Sequence, residues 1–197
     1  MADKISNGVG NKFIGLLIVA VVLGGGIWYF GRSGEVEAPK QSLTPYSSTE
    51  YKVSFSYPSG LYLKEIPNVG TPENPQLAVV LVENTQVNRD ILDGKSIEGG
   101  EGPTAITAQA YPNPDGLSAQ AWAEQDASWA MNVKDLTPVV IGGQDGISFD
   151  WDGLYRGRSV ILAKGTLAYV FSVTWITPED QLIKDFDMVL DSTTFSD

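Results

Sequence analysis

Val139 to Ile176 reads VVIGGQDGISFDWDGLYRGRSVILAKGTLAYVFSVTWI, four apolar or alternating runs separated by Gly142-Gly143, Asp152-Gly153 and Lys164-Gly165. Gly and Asp-Gly steps supply the positive backbone angles that tight hairpins need, so the stretch predicts consecutive antiparallel strands over Val139–Ile141, Gly146–Trp151, Ser159–Lys164 and Thr166–Ile176. In the last strand Leu167, Tyr169, Phe171, Val173 and Trp175 fall on one face, and Ala168, Val170 and Ile176 on the other. Both faces of the sheet are therefore expected to be covered.

Downstream, Thr177-Pro178-Glu179-Asp180 reads as a helix start, with Thr177 as N-cap and Pro178 at the first helical position. Leu182, Ile183, Phe186, Val189 and Leu190 then form a buried stripe, followed by Thr194-Phe195. Upstream, Tyr51, Val53, Phe55 and Tyr57 alternate with polar residues until Pro58-Ser59-Gly60, which predicts a half-buried strand and a turn. Further strands are expected over Leu61–Ile66, Leu77–Val82 and Thr104–Tyr111. Asn84–Pro103 is poor in apolar residues and reads as a loop excursion. Ser118 is a suitable N-cap for a helix over Ala119–Asn132, whose Trp122, Trp129 and Val133 fall on one side and read as core packing.

The N-terminal region has a different character. Phe13 to Phe30, FIGLLIVAVVLGGGIWYF, carries no charge, and 18 residues of helix would extend roughly 27 Å, close to the ~30 Å hydrocarbon core of a bilayer. The expected anchor residues are Phe13, Leu16, Leu17, Ile18, Val21, Val22, Leu23, Ile27, Trp28, Tyr29 and Phe30. A cleavable signal would need a small-x-small site close behind, and Val36-Glu37-Ala38 lies beyond an aromatic pair with Pro39 just after it, so a retained transmembrane helix is the reading. Lys4 and Lys12 before the span tie with Arg32 and Lys40 after it. The short tail, the offsetting Glu35 and Glu37 and the Trp28-Tyr29 anchor favour a cytoplasmic N-terminus (1–12) and an extracytoplasmic domain. Residues 31–48, rich in Gly, Ser and Pro, read as a flexible linker, with the globular domain at 49–197.

Charge narrows the partners. Residues 1–45 hold four Lys/Arg against three Asp/Glu, which leaves nine against twenty-one, net −12, for residues 46–197. Such a domain repels phosphate backbones, and no basic cluster offsets this, so nucleic acid is excluded as a partner. The lipid bilayer is expected to be contacted through the helix alone. The chain has no Cys and no His. It cannot form disulfides, thiolate nucleophiles or a Ser-His-Asp unit, and no phosphate-binding glycine loop is present.

Carboxylates remain as the available chemistry. Asp145, Asp150 and Asp152 flank one hairpin, and Asp150-Trp-Asp-Gly153 is faintly like a calcium loop. Leu154 stands where another ligand belongs, however, and the closing Glu is missing. A solvated turn accounts for these acids. A paired-carboxylate hydrolase is conceivable in so acidic a chain. Close to the same hairpin, Trp151 shares a face with Ile147 and Phe149 and reads as core, which leaves Tyr155 and Arg156 as candidate partner contacts.

The order of these elements resembles the PsbP-like domain. The matching text is Val140-Ile-Gly-Gly-Gln144, Gly153-Leu-Tyr155, Ala163-Lys-Gly165, Tyr169-Val-Phe-Ser-Val173 and Asp185-Phe186 through Phe195, with Tyr51-Lys-Val-Ser-Phe-Ser-Tyr-Pro58 similar to that family's first strand. The resemblance covers roughly residues 49–196, with 67–117 matching in outline. It implies an α+β fold in which an antiparallel sheet is sandwiched by helices. Its best-known members are extrinsic photosystem II subunits that help retain calcium and chloride; bacterial relatives, often with an N-terminal membrane helix, have no settled activity. No transit peptide is recognisable here and His is absent, so the fold carries over and the photosystem role does not. The expected function is a membrane-anchored, extracytoplasmic, non-enzymatic binding domain without cofactor or metal, with a protein partner in an envelope assembly. The alternatives are a calcium-type or small-ligand binder using acidic loops and, less favoured, a carboxylate-dependent hydrolase.

Overall fold

Two of the three turn steps act as their spacing implies: Gly142, Gly143 and Gly165 have φ of 56°, 76° and 59°, in the left-handed region that glycine enters without strain, whereas Gly153 of the Asp152-Gly153 step does not adopt a positive φ. Residues 42–67, 76–95, 102–125 and 134–197 are described by the structure, a computed structural model. They belong to a unit spanning Gln41–Asp197. The expected membrane anchor and most of the linker lie outside the described residues. Among the described residues no helix is long and apolar enough to cross a membrane.

Among the described residues ten strands and three helices follow one another as β1 (Leu43–Ser48), β2 (Val53–Pro58), β3 (Leu61–Pro67), β4 (Leu77–Glu83), α1 (Gln86–Leu92), β5 (Ile106–Pro112), α2 (Ala119–Gln125), β6 (Lys134–Ile141), β7 (Gln144–Asp152), β8 (Arg156–Lys164), β9 (Leu167–Trp175), α3 (Gln181–Ser192) and β10 (Thr194–Phe195). Where one sheet was expected there are two. Seven strands in the order β3-β4-β5-β9-β8-β7-β6 make the main antiparallel sheet, and β1-β2-β10 make a small one. The second sheet exists because β2 turns its apolar residues onto the main sheet and α3 lies beside it, packed on β2 and β9.

The larger core fills the space between these layers. Phe171 and Val173 of β9, Val79 and Leu81 of β4, Phe55 of β2, and Phe186 and Val189 of α3 meet there, all at 4% exposure or less. Phe55 and Phe171 pack edge to face with ring centroids 6.4 Å apart. On the opposite face α2 covers β7 and β8, burying Ile147, Phe149, Ile161 and Val170 beneath Ala119 and Trp122. Trp122 is thus a packing residue. Its ring lies 5.3 Å from that of Tyr111, and its indole N–H donates to the Pro112 carbonyl at 3.2 Å. Ser118 accepts from the Ala121 N–H as the expected N-cap; Trp129 and Val133 lie outside the described residues.

Several boundaries differ from the sequence expectation. The last six residues of the expected linker form β1, paired with β2 from Leu43–Pro58 to Ser48–Val53. β6 begins at Lys134, five residues before the expected strand. Ile176 is 71% exposed, because β9 ends at Trp175 and the chain turns away from the sheet. Asp180, and not Thr177, caps α3: its carboxylate accepts from the Leu182 N–H at 3.1 Å, while its own N–H donates to the Thr177 carbonyl in a preceding turn.

Asn84–Pro103, expected as a loop, contains α1. Thr85 caps it by accepting from the Asn88 N–H, and Lys64 of β3 reaches Asp93 at its end, 2.7 Å away. The helix buries no residue of its own. Ion pairs therefore tie down its C-terminal end. The hydrogen bond from Lys64 holds Asp93 below the ordinary carboxylate range, and Lys95 does the same for Asp90. A pKa depressed by folding gives stability that is complete above the unfolded value, ~3.9, and is lost as the pH falls through the lower folded value. Amide exchange at 88–92 should therefore be slowed at neutral pH and lose that protection in acid below about pH 4. Equal protection on both sides of that range, after correction for intrinsic rates, would remove these pairs from the account.

Three of the four edge strands among the described residues hold a proline: Pro67 is the last residue of β3, while Pro138 and Pro45 lie within β6 and β1. In the two-residue hairpin Ile141 and Gln144 exchange both hydrogen bonds, as alternate pairs do back along the strand, so Pro138 sits where the main chain of β6 faces outward. Pro45 interrupts the outer strand β1. Neither offers an N–H to an incoming strand.

Candidate functional site

At the end of the main sheet where β7 turns into β8, a cleft of about 710 Å³ opens between α1, the β7–β8 turn and the first turn of α3. That volume suits a small molecule or a few side chains of a partner. The chain enters the unit at its rim. Ser59 N–H donates to the Ser42 carbonyl, the two hydroxyls lie 2.5 Å apart, and the next residue, Gly60, lines the cleft.

The apolar walls come from Val87 and Ile91 of α1, Ile176 after β9, and Leu61 and Leu182 beneath them. Val87 is 55% exposed, and Leu154, which precedes Tyr155 in the β7–β8 turn without lining the cleft itself, is 71% exposed. With Ile176, these are three of the four most exposed large apolar side chains among the described residues; the fourth, Val140, stands at the opposite end of β7. The polar lining includes Glu83, Asp180 and Asp185, and no Lys or Arg among the described residues.

Asp185 is the unusual member. At 3% exposure it is the one charged residue buried among the described residues. One of its oxygens accepts from Gln181 Nε2 at 2.9 Å, and no donor of the described residues reaches the other. No side-chain oxygen sealed from water lacks a partner among the described residues, so that second oxygen keeps contact with solvent through the cleft. Sequence reasoning missed it, because an Asp between Lys184 and Phe186 on an amphipathic helix reads as solvent-facing.

The two expected contact residues part company. Tyr155 forms part of the cleft wall, with its hydroxyl donating to the Gly102 carbonyl at 2.7 Å. Arg156 is exposed outside the lining, 3.7 Å from Asp152. Trp151 lies half-buried against the α2-side core, its indole N–H donating to Ser159 Oγ at 3.0 Å. Ser159 in turn shares a hydrogen bond with Ser172 at 2.7 Å.

The acids of the β7 hairpin do not converge. Asp145 and Asp150 are separated by five residues of strand, about 16 Å, and Asp150 is engaged by Arg158, which also lies 3.6 Å from Asp187. No group of three or more acidic side chains among the described residues could hold a metal ion.

No family model and no curated protein matches the chain. Solved structures do. The solution structure of cyanobacterial PsbP (CyanoP) from Synechocystis sp. PCC 6803 matches with a TM-score of 0.51 at 16% identity, over 85% of this chain and 99% of that one. A crystal structure from Bacteroides thetaiotaomicron VPI-5482 matches with a TM-score of 0.47 at 14% identity, over 78% of this chain and 48% of that chain. The fold is PsbP-like, as the motifs of the C-terminal half implied.

Proposed function

We propose that this PsbP-like domain binds a protein partner through its cleft end and catalyses no reaction, and that residues 13–30 hold it at the outer face of a membrane within an envelope assembly. The observation that carries the reading is the exposure of Val87 and Ile176 in the lining of one cleft, with exposed Leu154 next in sequence to its Tyr155, so that three of the four most exposed large apolar side chains among the described residues belong to this end. Exposed apolar side chains ringed by polar ones are what a docking surface needs. Against catalysis stands the chemistry available. With neither His nor Cys, the cleft offers carboxylates, of which Asp180 is engaged as a helix cap and Asp185 with Gln181. The anchor reading rests on the uncharged run itself.

Photo-crosslinking in intact membranes tests this reading. A photoreactive residue at Ile176 or at Leu154 should trap one and the same adduct, and at Val140 none. Identical adducts from Val140, or none from either Ile176 or Leu154, would defeat the docking end. Protease treatment of whole cells should digest residues 49–197; full protection would reverse the orientation.

A further inference from the structure

We propose that the cleft receives a lysine or arginine side chain from a basic segment of the partner protein, the alkyl stem lying against Val87, Ile91 and Ile176 and the cationic head meeting Asp185. The inference deepens the docking function proposed above and rests on it. Its physical basis is complementarity. The lining combines an aliphatic wall with Glu83, Asp180 and Asp185 and has no basic residue among those described. Long cationic side chains carry both an apolar stem and a charged head, and they bury the first while pairing the second.

One feature of the cleft opposes a cation. The N-terminus of α3 opens there, and a helix start carries roughly half a positive charge. Asp180 already caps that end, accepting from the Leu182 N–H, and Glu83 and Asp185 add two further carboxylates. The sign of the site therefore stays negative. Asp185 also has an oxygen that no donor of the described residues reaches and that keeps contact with solvent, since no side-chain oxygen sealed from water lacks a partner among the described residues. A hydrogen bond to a charged donor is stronger than one to a neutral amide, so an incoming ammonium or guanidinium would supply what Gln181 alone does not.

The experiment uses the purified full chain in a nonionic maltoside detergent, followed by amide nuclear magnetic resonance. Titration with n-butylammonium and with n-propylguanidinium, the two side chains without their backbone, should give saturable shifts at Tyr155, Gln181 and Asp185. The neutral analogue n-pentanol should bind at least tenfold more weakly. Asp185→Asn should weaken both cations at least tenfold while leaving n-pentanol unchanged. If that variant loses its amide dispersion, Val87→Trp, on the exposed face of α1, should instead block the shifts by filling the mouth. Equal binding of n-pentanol and the cations, or unaltered cation shifts in either folded variant, would overturn the proposal. Should the cations fail while Ile176 and Leu154 still trap a shared adduct, the ligand class falls and the docking end stands. Saturable cation binding without any adduct would retain the ligand class and withdraw the docking end.

Discussion

Replacing Gly146 by alanine should cost a large share of the stability of the protein. Gly146 lies in β7 between Val139 of β6 and Leu162 of β8. A Cβ there would overlap the Ile161 carbonyl oxygen and Leu162 Cδ2. The leucine terminus could rotate, but the carbonyl belongs to the main chain of β8 and retreats only if β7 and β8 part. Overpacking a core usually costs about 1–3 kcal/mol, and a backbone obstruction belongs at the top of that range or beyond, about 3–5 kcal/mol. A small domain has only ~5–15 kcal/mol in total. Chemical denaturation would read the loss as a large fall in midpoint, and an unchanged midpoint would show that the strands separate more cheaply than this packing implies.

Phe186→Ala should have an effect of similar size by the opposite route. Phe186 is fully buried where α3 meets β2 and β9, and truncating such a side chain removes apolar burial and leaves a cavity, about 3–5 kcal/mol together. Lys184→Ala, on the exposed side of the same helix, should stay within about 0.5 kcal/mol. The two variants also separate packing from recognition. Loss of Phe186 loosens the helix that carries Asp185 and should weaken cation uptake with stability, whereas Asp185→Asn should weaken uptake in a folded chain.

The C-terminal half was legible because its strands are joined by turns that announce themselves: Gly-Gly and Lys-Gly steps fix both the reversal and the register. The buried stripe of α3 was legible for a similar reason, since Leu182, Phe186, Val189 and Leu190 repeat at helical spacing and all are buried. β1 was hidden because LTPYSS has a weak apolar period and gains its order from β2 across a four-residue turn. α1 was hidden because it has no buried stripe at all, and the Lys64–Asp93 contact that secures it joins residues 29 apart. At the start of α3, Thr177 and Asp180 were both capable caps. Local pattern could not choose between them, and the turn closed by the Asp180 N–H decided it.

The candidate site divides along the same line. Tyr155 was picked out from its neighbours in the sequence, but a cleft that draws on Gly60, Val87, Ile176 and Asp185 is assembled by topology. Trp151 was expected as core and lies against it, held by a serine pair that no spacing rule links to a tryptophan.

Ser42 meets the rim of the cleft, and this sets the reach of recognition. If residues 13–30 are held in lipid as proposed, positions 31–42 separate them from this rim by at most roughly 40 Å of fully extended chain. The cleft lies close to where the described residues begin, since Ser42 is bonded to Ser59 and the next residue, Gly60, lines it. If the anchor is in lipid as proposed, the mouth sweeps a shallow zone next to the bilayer, where a short tether raises the local concentration of the site toward millimolar values. Binding too weak to detect between free molecules would then suffice for a partner confined to the same surface.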